Sequence, residues 1–156
     1  MVLVGFMGCG KTTFGKKMAK HLGVPFIDSD AEIESHYQKT IGELFAEKGE
    51  SNFRAIESEF IQTLEGQDDF VLATGGGMPC FGSNMDVLNS LGVTFYMERS
   101  AKELTHRLMH AKNKRPLIDG MSEKELLQFV EDRLLVREDY YKKAAVTLDR
   151  EEQTVD

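Results

Sequence analysis

One segment near the start of the chain restricts the fold more than any other. Residues 5–12 read Gly-Phe-Met-Gly-Cys-Gly-Lys-Thr and match the pattern G-x-x-x-x-G-K-[S/T] in full. The apolar run 1–4 precedes this segment, and residues 11–22 follow it with apolar side chains at helical spacing until Gly23. A glycine-rich loop between a buried strand and a helix presents backbone N–H groups to phosphate oxygens. The sequence therefore predicts a loop that binds nucleotide phosphates.

Two side chains of this phosphate-binding loop are expected to bind different parts of the ligand. Lys11 is expected to reach the β- and γ-phosphates, and the Thr12 hydroxyl is expected to bind Mg²⁺. The alternative is a glycine-rich turn without a ligand, which the complete match and the strand–loop–helix context disfavour. The predicted ATP-binding residues here are Gly8, Cys9, Gly10, Lys11, Thr12 and Thr13.

Short apolar runs alternate with helical patterns along the rest of the chain. After the first strand, further strands are predicted at residues 24–27, 70–73, 93–97 and 144–148. Continuous apolar strands, as opposed to alternating ones, suit a parallel sheet that is covered on both faces. The predicted fold class is therefore α/β, a three-layer sandwich with a five-stranded parallel sheet, in which ligands bind at the carboxyl ends of the strands.

Capping patterns predict where several of the helices begin. Ser29 with Glu32 forms a capping-box pattern, and the same pattern is predicted from the pairs Thr40–Glu43 and Ser122–Glu125. Ser51 is expected to cap a separate helix that ends near residue 65. Further helices are predicted at about residues 85–91 and 101–109.

Composition narrows the possible partners. The 156 residues include 19 Lys and Arg against 26 Asp and Glu, which gives a formal net charge of −7. Nucleic acid and anionic membranes require a basic face, so neither is an expected partner. Without an apolar run of about 18 residues or a signal-peptide pattern, the expectation is a single cytoplasmic domain, residues 1–156.

Cys9 and Cys80 fit no metal-ligand spacing and are expected to be free thiols. No functional role is predicted for His21, His36, His106 or His110.

Aspartates and glycines follow the second and third predicted strands. Asp28 and Asp30 could divide two roles, one facing Mg²⁺ and the other facing a substrate hydroxyl, although helix capping would also explain them. Residues 75–77 are three consecutive glycines, which suit a place where another group approaches the backbone closely. A flexible turn is the alternative for this segment.

Three arginines in separate segments are candidates for anion binding. Arg54 lies in an apolar-faced helix near Glu57, where a surface salt bridge is the simpler interpretation. Arg115 lies in a basic stretch before Pro116, which could be a solvated loop or a mobile lid that brings a cation to the phosphates. Arg137 follows a helical stretch, where a cation that stabilises the helix C-terminus is the alternative.

Taken in order, these segments resemble one known family. The chain is similar, from residue 1 to about residue 149, to shikimate kinases, small members of the nucleoside monophosphate kinase branch of P-loop proteins. The matching segments are GFMGCGKTT, DSD, FRAIE, TGGG, RPL and REDYY. The segment GFMGCGKTT is the most specific of these, and the order and spacing of all six segments strengthen the resemblance.

The resemblance implies an activity and its partners. Members of the family transfer the γ-phosphoryl group of ATP to the 3-hydroxyl of shikimate, which gives 3-phosphoshikimate and ADP in aromatic amino acid biosynthesis. It also implies Mg²⁺ as cofactor, ATP and shikimate as small-molecule substrates, and a monomer. Within the kinase domain it implies a substrate-binding region at about residues 28–62 and a lid at about residues 110–122.

Residue roles follow from the same resemblance. Lys11, Asp30 and Arg115 would be catalytic, with Arg115 closing over the ATP phosphates. Thr12 would bind Mg²⁺ directly and Asp28 would hold it through water. Asp30 would also bind the shikimate hydroxyls and orient the attacking one. The implied shikimate-binding residues are Asp30, Arg54, Gly76, Gly77 and Arg137.

The chain departs from the family pattern in three places. Many relatives carry a second arginine near the adenine a few residues before the lid arginine, where this chain has residues 110–113 and Arg107 lies further back. The family's R-x-P-x-Y pattern appears as Arg137-Glu138-Asp139-Tyr140-Tyr141, without the proline. Relatives usually continue into a further helix after the fifth strand, where this sequence has residues 150–156.

The sequence is also compatible with three alternative functions, each of which a particular feature disfavours. A gluconate kinase is disfavoured by the triple glycine and by the pair Arg54 and Arg137. A nucleotide kinase is disfavoured by the short acceptor region, which has no second base-binding insertion. A catalytically weak nucleotide-binding module that acts as a switch or as a partner subunit is disfavoured by the intact set of Lys11, Thr12, Asp28 and Asp30.

Overall fold

One parallel sheet organises the chain. The computed structural model describes residues 1–111 and 116–153. The strands are β1 (Val2–Val4), β2 (Phe26–Asp28), β3 (Val71–Ala73), β4 (Thr94–Met97) and β5 (Val146–Leu148). They pair in parallel in the order β2-β3-β1-β4-β5. The predicted five-stranded parallel sheet is therefore confirmed, and β2 lies slightly further along the chain than the predicted run 24–27.

Helices connect the strands and cover the sheet on both sides. They are α1 (Lys11–Leu22), α2 (Ser29–Tyr37), α3 (Ile41–Gln62), α4 (Asn84–Leu91), α5 (Ala101–Met109) and α6 (Glu123–Tyr141), with short 3₁₀ turns at Met78–Cys80 and Pro116–Ile118. None of the helices in the described ranges is both long and apolar enough to cross a lipid bilayer. The three-layer α/β arrangement predicted from the sequence is confirmed.

Most predicted helix starts are correct, but the starts predicted at Ser29 and Ser51 are not. Complete capping boxes form at Thr40 and Ser122, and a further one forms at Ser100. The predicted Ser29–Glu32 box is wrong, because β2 ends at Asp28 and the Asp28 carboxylate accepts the hydrogen bond from the Ala31 N–H. Ser29 is instead the first helical residue, fully buried.

The helix predicted to begin at Ser51 is part of a longer element. The α3 helix runs from Ile41 to Gln62 and is interrupted only at Gly49, whose φ of 78° and ψ of 167° are not helical. Ser51 therefore lies within α3, and the break falls two residues earlier than predicted. Residues with a side chain rarely adopt this combination of angles, so a glycine is what allows the kink.

We expect the Gly49→Ala variant to be less stable by about 1–3 kcal/mol, because alanine must adopt a conformation that is almost exclusive to glycine. Urea unfolding followed by circular dichroism measures the change. Gly42→Ala is the matched control in the same helix, since a Cβ there would meet only the Thr40 hydroxyl at 3.9 Å. Its stability should be unchanged or higher by up to about 1 kcal/mol. Equal effects of the two substitutions would contradict a conformational role for Gly49.

The sheet register brings three loops to one edge. All three residues of the central strand β1 are inaccessible to solvent, as expected for a parallel strand covered on both faces. Ala73 pairs with Leu3 on one side and with Asp28 on the other. The segments that follow β1, β2 and β3 therefore leave the sheet side by side, at its carboxyl edge.

Candidate active site

A cleft of about 250 Å³ lies where these three segments meet. Its walls come from the phosphate-binding loop, Asp28 and Asp30 after β2, residues 74–76 after β3, and Arg107 of α5. The two glycine-containing loops are in direct contact, because a Cβ on Gly76 would lie 3.3 Å from the Met7 nitrogen. The cleft can thus place a group bound at one loop next to a group bound at the other.

The phosphate-binding loop curves around a buried ammonium group. Lys11 is 8% exposed, and its Nζ donates to the carbonyl oxygens of Gly5 at 2.7 Å and Phe6 at 3.0 Å. Gly8 and Gly10 take φ values of 81° and 110°, which favour glycine. Among the described residues no side chain caps α1 at Gly10. The first N–H groups of α1 are therefore available for an anion.

Thr12 and Asp28 face one another across the cleft. The Thr12 hydroxyl donates to Asp28 Oδ2 at 2.9 Å, while Oδ1 of the same carboxylate caps α2. Asp28 therefore caps α2 and also lies next to Thr12, the predicted Mg²⁺ ligand. The sequence had left capping and a place at the metal site as alternatives for this residue. No cluster of three or more His, Cys, Asp or Glu side chains able to hold a metal occurs in the described ranges. One hydroxyl and one carboxylate nevertheless fit Mg²⁺, which keeps several waters and binds substrate phosphates.

Asp30 packs against the backbone of the triple glycine. A Cβ on Gly75 would lie 2.6 Å from Asp30 Oδ1 and 3.3 Å from Glu57 Oε1. No real Cβ tolerates the first of these distances, so a side chain at residue 75 would displace the carboxylate. Close approach to the backbone therefore explains Gly75 better than a flexible turn does.

Arg54 is buried, and its guanidinium has defined neighbours. It is 9% exposed, Nη1 donates to Glu57 Oε2 at 2.5 Å, and the guanidinium lies 5.6 Å and 5.7 Å from the ring centres of Phe45 and Phe53. A Cβ on Gly77 would lie 2.5 Å from Arg54 Nη2. The partner Glu57 was anticipated, but the pair is buried and does not form a surface salt bridge.

Glu57 balances the charge of this arginine inside the protein. Its side chain is 2% exposed. Burial raises the pKa of Glu57, and the charge and hydrogen bond of Arg54 oppose that rise. Asp30 and Arg137 also act on the pKa of Glu57, the first raising it and the second lowering it. Two carboxylates and two guanidinium groups therefore lie around the triple glycine.

Arg137 reaches the same loop from α6. The helix continues to Tyr141, so Arg137 lies one turn before its end and is not a terminal cation. Its guanidinium lies 5.7 Å from the ring centre of Phe6, and a Cβ on Gly76 would lie 3.6 Å from its Nη1. Arg54 and Arg137, far apart in sequence, thus both contact the triple glycine.

Arg107 is a cleft residue to which the sequence assigned no role. Its Nε donates to the Gly8 carbonyl at 2.7 Å, and Nη2 would lie 3.4 Å from a Cβ on Gly10. A second cleft of about 900 Å³ opens beside it, between α5 and Arg150, and is also lined by His106 and His110. The sequence signal for Arg107 was weak, because it consisted only of a cation in the last turn of α5, the helix that follows β4.

The predicted site residues that the structure describes fall into two groups. Lys11, Thr12 and Asp28 line the phosphate-binding end, while Asp30, Arg54 and Arg137 surround the triple glycine. Arg115 lies outside the described residues, as does the segment 112–115 of the predicted lid.

Both cysteines are free thiols, as predicted. Cys9 is buried within the phosphate-binding loop, and Cys80 lies in the 3₁₀ turn after the triple glycine. Burial raises the pKa of the Cys80 thiol to about 11, and the nearby Arg137 partly offsets this. A thiol with a raised pKa is a poor nucleophile at neutral pH, so no catalytic role follows for Cys80.

The sheet order, the phosphate-binding loop and the adjoining cationic pocket define a P-loop kinase that acts on a small molecule. A family model described as "Shikimate kinase" matches residues 7–156. The chain belongs to the shikimate kinase family.

Individual relatives agree with this assignment. The chain is 44% identical over 149 residues to a shikimate kinase of Parabacteroides distasonis, covering 96% of this chain and 86% of the relative. A crystal structure of shikimate kinase from Bacteroides thetaiotaomicron superimposes with a TM-score of 0.93 at 39% identity, covering 97% and 90% of the two chains. A shikimate kinase from Acinetobacter baumannii, solved in complex with shikimate, gives a TM-score of 0.82 at 35% identity, covering 94% and 80%.

Proposed function

We propose that this protein transfers the γ-phosphoryl group of ATP to the 3-hydroxyl of shikimate, giving 3-phosphoshikimate and ADP. The observation that carries the proposal is the placement of Arg54, Arg137 and Asp30 around the triple glycine, directly beside the phosphate-binding loop. Shikimate presents a carboxylate and several hydroxyls, which two guanidinium groups and a carboxylate can recognise. The Acinetobacter relative was solved with this substrate.

The nucleotide would occupy the end of the cleft formed by the loop. The N–H groups at the start of α1 and the Lys11 ammonium would bind its phosphates, and Lys11 would exchange its bonds to the Gly5 and Phe6 carbonyls for phosphate oxygens. Arg107 would add a second cation beside Gly8. We place the base and ribose in the larger cleft next to Arg107.

Mg²⁺ would be held by the Thr12 hydroxyl and, through water, by Asp28. When bound, it neutralises charge on the phosphate oxygens. The remaining roles belong to the chain itself. Glu57 holds the Arg54 guanidinium in a fixed orientation, so the substrate carboxylate meets a pre-arranged donor.

Asp30 is the residue that we assign to the attacking hydroxyl. Its carboxylate accepts a hydrogen bond from the 3-hydroxyl and directs the oxygen towards the γ-phosphorus. As the new P–O bond forms, the bond between the γ-phosphorus and the bridging oxygen of ADP breaks, and the hydroxyl proton passes to the Asp30 carboxylate. Charge neutralisation and positioning supply most of the rate.

Arg115 is assigned by the resemblance to the lid, where it would close over the transferring phosphate. Closure excludes water, which would otherwise compete as acceptor. We assign residues 28–62 to substrate binding and residues 110–122 to the lid, both within one kinase domain. We also propose that the protein is a monomer in the cytoplasm, a compartment that two free thiols suit.

Gly77→Ala should raise KM for shikimate about 10- to 100-fold and leave KM for ATP nearly unchanged. The new Cβ would lie 2.5 Å and 2.6 Å from the Arg54 guanidinium nitrogens, which forces that group out of position. The magnitude corresponds to the loss of one charge-assisted hydrogen bond of about 1.5–3 kcal/mol. Steady-state kinetics with each substrate varied in turn measures it, with Gly42→Ala as the control. Equal rises in both KM values would argue against a local effect on Arg54.

A coupled ADP-release assay tests the activity. ADP formation should require both shikimate and Mg²⁺, and mass spectrometry should detect phosphorylated shikimate. Binding of ATP without shikimate-dependent ADP release would instead support a nucleotide-binding switch module.

A further inference from the structure

The triple glycine, residues 75–77, has no side chains of its own to hold it in place. It must nevertheless present backbone groups to a substrate in a fixed direction, although glycine has more conformational freedom than any other residue. Other parts of the chain must therefore restrain it. Two buried hydroxyl groups contact its backbone, one from α2 and one from α6.

The first is the hydroxyl of Ser29. Ser29 is fully buried between Asp28 and Asp30, and its Oγ accepts a hydrogen bond from the Gly75 N–H at 2.8 Å. This bond joins the start of α2, which carries Asp30, to the first glycine. The neighbouring strand β3 is anchored independently, because the Thr74 hydroxyl donates to the Leu3 carbonyl at 3.1 Å.

The second is the hydroxyl of Tyr141. Its side chain is fully buried, its ring centre lies 5.3 Å from that of Tyr96, and its OH donates to the Gly76 carbonyl at 2.5 Å. Tyr141 follows Arg137 by one helical turn, so both side chains lie on the same face of α6. The α6 helix is uninterrupted between these two residues, which keeps this spacing regular.

Tyr141 also interacts with Arg137. Burial raises the pKa of the Tyr141 hydroxyl, and the charge of Arg137 together with its hydrogen bond to the phenol oxygen oppose that rise. The phenol therefore stays protonated at neutral pH. It can accept a hydrogen bond from the Arg137 guanidinium while it donates to the Gly76 carbonyl.

These contacts leave the N–H groups in the middle of the loop free. Within residues 1–111 and 116–153, nothing accepts a hydrogen bond from the N–H of Gly76 or Gly77. We propose that Ser29 and Tyr141 are positioning residues that fix the first two residues of the triple glycine, Gly75 and Gly76, so that the free N–H groups of this loop and the Arg137 guanidinium meet the substrate carboxylate together.

Two substitutions remove one hydroxyl each with little loss of volume. Tyr141→Phe keeps the ring against Tyr96, and Ser29→Ala removes a single oxygen. Each should raise KM for shikimate about tenfold, with KM for ATP changed by less than about twofold. Tyr140→Phe and Ser35→Ala are the matched controls on the same helices, and both should behave like the unmodified protein.

Thermal unfolding and calorimetric titration with shikimate complete the test. A purely structural role predicts a lower Tm with KM for shikimate and KM for ATP affected alike, and that result would overturn the proposal. So would an unchanged KM for shikimate in either variant. If Tyr141→Phe fails to fold, Ser29→Ala alone decides the matter.

This role presupposes the proposed reaction, and the two can fail separately. Absence of shikimate-dependent ADP release from the unmodified protein would reject the function and this role with it. An active unmodified protein whose Tyr141→Phe variant matches Tyr140→Phe would reject the role alone.

Discussion

Asp30→Asn should lower kcat with shikimate by about 10²- to 10⁴-fold while ATP still binds with nearly unchanged affinity. The amide keeps the size of the carboxylate and its place against Gly75, but it cannot accept the proton of the attacking hydroxyl. Asp30 lines the cleft between the phosphate-binding loop and the triple glycine, where we propose that the two substrates meet. The loss should therefore appear mainly in kcat.

Single-turnover kinetics and ATP titration separate these effects. Glu32→Gln is the matched control, because it makes the same chemical change at an exposed position of the same helix. An Asp30→Asn variant that turns over like the control would remove Asp30 from the chemistry and leave it only a structural role.

Arg54→Lys should raise KM for shikimate by about tenfold or more, with a smaller change in KM for ATP. Lysine keeps the positive charge but loses the planar fork that can bind a carboxylate through two parallel hydrogen bonds. It also retains a cation opposite Glu57, so the fold should persist. Arg133→Lys, at an exposed position on α6, is the control.

Arg54→Ala should have a larger effect because it changes both binding and stability. Removing the guanidinium leaves Glu57 buried without its partner, which should destabilise the protein by about 3–5 kcal/mol. The double variant Arg54→Met with Glu57→Gln removes both charges. It should regain most of the stability but none of the shikimate affinity. Recovery of both would show that Arg54 acts only through folding.

The fold was largely predictable because local signals agreed with the global arrangement. Continuous apolar runs identified all five strands, and Gly23 ends α1 as predicted, in a left-handed conformation. Errors arose where a residue had two possible local roles. Serine is a residue type that often caps helices, which is why Ser29 was predicted to cap α2. Because β2 extends to Asp28, the aspartate is the cap, and the Ser29 hydroxyl is buried against the Gly75 N–H.

The site was predictable in its parts, but its assembly was not. The space for a side chain at residues 75, 76 and 77 is limited by Asp30, by the Met7 backbone nitrogen and by Arg54 respectively, and those contacts are long-range. The burial of Glu57 and the position of Arg107 on the phosphate-binding loop depend on how α3 and α5 pack, which no local pattern encodes.

The acceptor specificity of the cleft is the most direct test of the central claim. We would measure ADP release with ATP and Mg²⁺ for shikimate, gluconate and nucleoside monophosphates, and compare kcat/KM. The arrangement of Arg54, Arg137 and Asp30 predicts that shikimate is preferred by several orders of magnitude, and that Arg54→Lys lowers this preference by about tenfold or more. Turnover with gluconate or a nucleoside monophosphate but none with shikimate would contradict the proposed function.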